Sequence, residues 1–122
     1  MITRDALFIG GQWVKPASDA TIDVVSPSTE GLVGRVPAPT ADDIDRAVRA
    51  ARDAFDHGPW PRTSPSERAA VLRRIADGIE QRADELAELV TTENGTPISI
   101  SRAAQVVGAV PHLRAYADLV EE

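Results

Sequence analysis

Residues 7–36 alternate short apolar runs with turn-forming residues, a pattern of tightly joined strands rather than helices. Leu7-Phe8-Ile9 and Gln12-Trp13-Val14 flank Gly10-Gly11, a link that tolerates positive φ twice and predicts a β-hairpin. Residues 22–25 are a mostly β-branched run, stopped by Ser26-Pro27-Ser28, where proline withdraws a ladder donor. Glu30-Gly31 predicts a turn into a strand over residues 32–36, which Pro37 and Pro39 close. Three or four strands result, too little sheet to cover both of its own faces.

After Thr40 the apolar spacing lengthens to three and four. Thr40 is placed to cap a helix, with Asp42 and Asp43 in the first turn as solvated carboxylates favoured by the helix dipole. Ile44, Ala47, Val48, Ala51, Ala54 and Phe55 fall on one face, and Asp56-His57-Gly58-Pro59 stops the helix. Trp60 follows, expected as an apolar plug between helices. Ser64-Pro65-Ser66-Glu67 is the sharpest local signal: an N-cap, a proline in the first helical position and a glutamate completing a capping box. The stripe Leu72, Ile75, Ala76, Ile79, Ala83, Leu86, Ala87 and Val90 stays on one face, which fits one long helix. A break near Gln81-Arg82 is the alternative. Asn94-Gly95 supplies left-handed residues that end helices. Pro97 opens a last helix, from about residue 99 to the end, with Ala103, Ala104, Val107, Val110 and Ala117 inside and a kink at Pro111. Glu121-Glu122 sets two carboxylates at the negative end of that helix, the ending expected of a cut inside a longer protein. The predicted class is α+β: strands and a hairpin over residues 1–39, then three or four helices over residues 40–122.

Composition narrows the chemistry. With only two Phe, two Trp and one Tyr in 122 residues, the core must come from Ala, Val, Ile and Leu. A net charge of −6 without a basic cluster argues against nucleic-acid binding. The sequence has no cysteine, which excludes a disulfide, a thiolate metal site and a cysteine nucleophile within it. No apolar run approaches the ~20 residues of a membrane span, and the charged start lacks the apolar region of a signal peptide. The expectation is a soluble, cytoplasmic protein with no membrane partner. His57 and His112 lack ligand spacing, no nucleophile elbow occurs, and no glycine-rich loop opens a helix. Neither catalytic nor cofactor-binding residues are predicted in this chain.

Five segments nevertheless occur in a telling order. They are residues 7–14 (LFIGGQWV), 24–31 (VVSPSTEG), 33–37 (VGRVP), 44–55 (IDRAVRAARDAF) and 93–97 (ENGTP), with Trp60 and Glu67-Arg68 between. Together they resemble the N-terminal segment of the aldehyde dehydrogenase superfamily, from about Leu7 to Ala117. The resemblance implies the N-terminal part of that family's α/β fold. It also implies oxidation of an aldehyde substrate to a carboxylic acid, with NAD or NADP as hydride acceptor in the parent enzyme. In such enzymes a cysteine thiolate attacks the aldehyde, an amide and a backbone N–H hold the oxyanion, and a glutamate activates water. None of those residues can be carried over here, so the chain alone is expected to be inactive and to bind no cofactor. What carries over is a monovalent-cation site, with Val24 and Val25 carbonyls and the Glu93 carboxylate as ligands, and an aldehyde tunnel faced by Gln105, Gly108 and His112. The family also breaks its helix near Gln81-Arg82, whereas Pro111 departs from its usual unbroken tunnel helix. The alternative reading is a non-catalytic interaction or regulatory module on the same scaffold. In either case unpartnered apolar faces predict self-association into a homo-oligomer.

Overall fold

The computed structural model describes residues 2–121 and is α+β, with five short strands followed by helices. It forms two compact units: residues up to Ser26 with Glu30–Arg62, and Pro27–Thr29 with residues from Thr63 onward.

In the first unit, β2 (Leu7–Ile9) and β3 (Gln12–Val14) form the predicted hairpin, paired antiparallel with Phe8 opposite Trp13. Gly10 and Gly11 have φ of 61° and 81°, the two positive values that a tight turn matching strand twist requires. A second sheet has the order β1 (Ile2–Thr3), β5 (Leu32–Pro37), β4 (Thr21–Val25), with β1 parallel and β4 antiparallel to β5. Asp23 and Arg35 stand opposite each other across it and form an ion pair at 2.6 Å. Helix α1 (Ala41–Asp56) carries the expected Thr40 cap. Its apolar stripe, however, is not core: Ile44, Val48 and Phe55 are 52%, 61% and 67% exposed. Trp60, in a 3-10 turn over Trp60–Arg62, is half exposed rather than enclosed as a plug would be.

Asp43 corrects the sequence reading most sharply. Expected as a solvated carboxylate, it is 1% exposed. Its oxygens accept the N–H of Ala17 at 3.1 and 3.2 Å, and the N–H and hydroxyl of Thr40 at 2.9 Å each. Arg46 pairs with it and also reaches the Lys15 carbonyl at 3.2 Å. The Thr40 N–H above all, against the cost of desolvation and with help from Arg46, the Thr40 hydroxyl and Ala17, holds this carboxyl well below the usual range. The local cause is Thr40-x-x-Asp43, a capping box, whose carboxylate here also pins the loop before β4.

The second unit is built on alanine. Helix α2 (Pro65–Gln81) starts on the predicted Ser64 and Glu67 capping box, and α3 (Ala83–Asn94) follows after a break at Arg82. The break, not the single long helix, is therefore what this stripe adopts. Gly95, with φ of 76°, ends α3, and a Cβ there would stand 2.9 Å from Pro27. A short α-turn α4 (Ile98–Ile100), a π-helical segment over Ser101–Val106 and α5 (Ala109–Glu121) complete the chain. Ala69 and Ala76 of α2 and Ala117 of α5 are fully buried, which lets α2 and α5 pack closely. Arg73 pairs with Asp118 and Glu121, and Arg114 with Asp77 and Glu80, so the two helices run antiparallel. Glu121 is thereby countered at the negative helix end; Glu122 lies outside the described residues.

Two expectations for the last helix fail. Ala103 and Ala104 are exposed, and Ser101 and Val106 are buried instead. The wider π turn, marked by the Val107 N–H bonding the Arg102 carbonyl at 2.9 Å, rotates the inner face. Pro111 produces no mid-helix kink, because it lies in the first turn of α5, where its missing N–H has no bond to break.

Candidate functional site

Gln105, Gly108 and His112 lie on the second unit at the junction between the π segment and α5. His112 Nδ1 is 2.9 Å from the Gly108 carbonyl. A carbonyl only accepts, so Nδ1 is the donor in this bond, on an exposed side chain. The backbone comes so close here that a Cβ on Gly108 would sit 2.5 Å from the Ala104 carbonyl oxygen. Gln105 is exposed but tethered, its Nε2–H donating to Thr96 Oγ1 at 3.4 Å. The three residues thus present one amide, one imidazole and a side-chain-free stretch of backbone, polar groups without a thiol.

The segment's support comes from residues that the sequence did not flag. Ser101 is fully buried, its hydroxyl accepting from Thr91 at 2.8 Å and donating to the Thr96 carbonyl at 3.3 Å. Val106 packs with Ala83 and Ala87 of α3. Ser101 lies at a helix start and Thr91 in the last turn of α3, places where small hydroxyl residues are ordinary, so no spacing signal marks this pair.

The other candidates are placed separately. Val24 and Val25 end β4 in the first unit, where the register shifts between them: Val24 opposes Gly34 and Val25 opposes Leu32. That irregularity disrupts the ladder locally. Glu93 lies in the last turn of α3 in the second unit, exposed and without a hydrogen bond or ion pair among the described residues. No group of three or more His, Cys, Asp or Glu assembles among the described residues. A pocket of about 490 Å³ in the first unit is lined by Arg4, Asp5, Lys15, Asp19 and Arg35 among others. Lys15 faces Asp19 at 3.9 Å and Arg35 is held by Asp23, so two of its three cations are already countered.

Three helix starts bear on phosphate binding, which uses open N-terminal N–H groups. The α1 start is closed by Thr40 and Asp43, and the α2 start by Ser64 and Glu67. Asp84 and Glu85 occupy the first turn of α3. Carboxylates stand where a dinucleotide's phosphates would need donors, so these residues do not fit one.

Comparison with known proteins covers nearly the whole chain. The model for the aldehyde dehydrogenase family matches residues 13–122. Geranial dehydrogenase of Castellaniella defragrans is 41% identical over 98% of this chain, and the NADP/NAD-dependent aldehyde dehydrogenase PuuC of Escherichia coli is 38% identical over 98%. Mycobacterium tuberculosis aldehyde dehydrogenase, solved in complex with NAD+, matches 98% of the chain at a TM-score of 0.92 and 40% identity. Aldehyde dehydrogenase C of Pseudomonas syringae, solved with NAD+ and octanal, matches 97% at 0.90 and 43%. The chain spans about a quarter of the length of these relatives, 24% to 25% in each case.

Proposed function

The chain belongs to the aldehyde dehydrogenase family, and we propose that it serves an enzyme oxidising an aldehyde to a carboxylic acid with NAD or NADP. In this reading the 122 residues supply scaffold and part of the substrate-facing wall. The reacting thiol and the cofactor's phosphate site come from elsewhere in the enzyme. The observation that carries the reading is the whole-chain likeness to the NAD+-bound Mycobacterium tuberculosis enzyme in a sequence without cysteine.

Gln105, Gly108 and His112 are the proposed wall of the aldehyde tunnel. The exposed Gln105 side-chain amide is a donor suited to orienting a polar carbonyl group, and the three residues bring no thiol of their own. Val24, Val25 and Glu93 are carried forward individually as ligands for a monovalent cation. Carbonyl oxygens beside a ladder irregularity and an unpaired carboxylate are the hard donors that such an ion takes. A cytoplasmic location and homo-oligomeric assembly complete the proposal. No helix among the described residues is long and apolar enough to cross a membrane, and the α1 stripe is exposed.

The test uses the 122-residue chain at verified mass. Titration calorimetry with NAD and NADP is expected to show no binding. Absorbance of reduced cofactor in the presence of octanal is expected to stay flat. Turnover by this chain would overturn the assignment of the chemistry to other parts of the enzyme.

A further inference from the structure

The π-helical segment over Ser101–Val106 is anchored to α3 at two points five residues apart. In an α-helix, residues five apart diverge by about 140°, so they cannot face the same neighbour. In i→i+5 bonding the wider turn brings them round to the same side of the helix. Ser101 bonds Thr91 of α3, and Val106 packs on Ala83 and Ala87 of the same helix. Both anchors are satisfied together only while the segment is π.

The Ser101 anchor does not end at α3. From Thr91 Oγ1–H the chain of hydrogen bonds runs to Ser101 Oγ, and from Ser101 Oγ–H to the Thr96 carbonyl. Thr96 is itself fixed, its N–H donating to Asn94 Oδ1 at 2.9 Å behind the left-handed Gly95. Its hydroxyl then receives the Gln105 amide. A fully buried serine is thus linked through one threonine to an exposed glutamine four residues ahead of it.

We propose that Thr91, Ser101 and Thr96 form a positioning device that keeps residues 101–106 π-helical and sets the direction of the Gln105 side-chain amide. Thr91 and Ser101 hold the turn, and Thr96 aims the amide. The link is physical: loss of the Ser101 hydroxyl leaves the half-buried Thr91 hydroxyl and Thr96 carbonyl short of a partner, while an α-helical turn would withdraw Val106 from its contact with α3. That Gln105 faces an aldehyde rests on the tunnel reading above; the hydrogen-bond chain does not.

The experiment follows the Gln105 side-chain amide signals and the Val107 N–H exchange rate by NMR in the full chain. Ser101→Ala is expected to speed Val107 exchange by about tenfold and to shift the Gln105 signals. Thr96→Val, which keeps the carbonyl, is expected to shift the Gln105 signals alone, and Thr96→Ser to restore them. Gln105 signals that coincide with wild type in both Ser101→Ala and Thr96→Val would overturn the proposal. Should Ser101→Ala fail to fold, the Thr96 pair decides by itself. If these signals respond while the KM for aldehyde in the active enzyme does not, the device stands and the tunnel reading fails.

Discussion

The first unit is centred on a buried charge and the second on buried alanines, while both leave large apolar side chains exposed. In the first, Asp43 is buried while Phe8, Trp13, Val48 and Phe55 are each more than 60% exposed. In the second, Ala69, Ala76, Ala87 and Ala117 are fully buried and the ion pairs flank the helix contact. Amphipathic periodicity is stronger in α1 than in α2, yet the α1 stripe is the exposed one. Periodicity states which face of a helix is apolar, and only a fitting partner decides whether that face is covered. One unit is consequently fastened by a polar clasp and the other by close packing.

The clasp offers the largest expected effect. Asp43→Asn replaces an acceptor-only carboxylate with a group that puts N–H against N–H at Ala17 or Thr40. Residues 15–47 should lose hydrogen-exchange protection while α2 and α5 keep theirs; retained protection across residues 15–47 would show that the clasp is dispensable. The acid response has the same origin. The folded Asp43 carboxyl titrates below its unfolded value. Its contribution is therefore complete above the unfolded value of about 3.9 and is lost as pH falls through the folded one. The first unit should open progressively below about pH 4, as read by exchange or tryptophan fluorescence, and Asp43→Asn should flatten that dependence.

Close packing is challenged next. Ala76→Leu forces extra methylenes into the fully buried face of α2 and should cost about 1–3 kcal/mol. An unchanged denaturation midpoint would mean that α2 and α5 have room to spare. Ser64→Ala removes one partner from the α2 capping box and should cost roughly 1 kcal/mol, read from the same midpoint. The smallest change is expected on the exposed stripe of α1. Val48→Ser should leave stability within about 0.5 kcal/mol. If the chain associates through this face, the same variant lowers its light-scattering mass toward the 13.0 kDa of one chain. A midpoint loss as large as that of Ala76→Leu would break the contrast between the two units.

Local chemistry was the legible part. The Gly10-Gly11 hairpin, the Thr40 and Ser64 caps and the Gly95 stop all appear where the residues place them. Each depends on interactions within a few positions of chain. The break at Arg82 has no such signal, since the apolar stripe continues through it, and it came from resemblance alone. The polar support of the candidate wall was invisible. Ser101 and Thr91 are ten residues apart, and each alone has the look of a solvent-facing hydroxyl.

By itself the sequence determined the element types, their ends and the family, because caps, turns and periodicity act over one or two helical turns. It also settled what chemistry the chain lacks, since a sequence without cysteine has no thiol to place. Tertiary structure alone decided which apolar stripes are covered, that Asp43 is enclosed rather than solvated, and that residues 101–106 adopt a π turn. Those outcomes depend on partners distant along the chain. Ala17 lies 26 residues from Asp43, and α3 must be in place before Ser101 and Val106 have anything to face. A one-dimensional pattern records what a residue prefers, and the competition among distant partners determines what it meets.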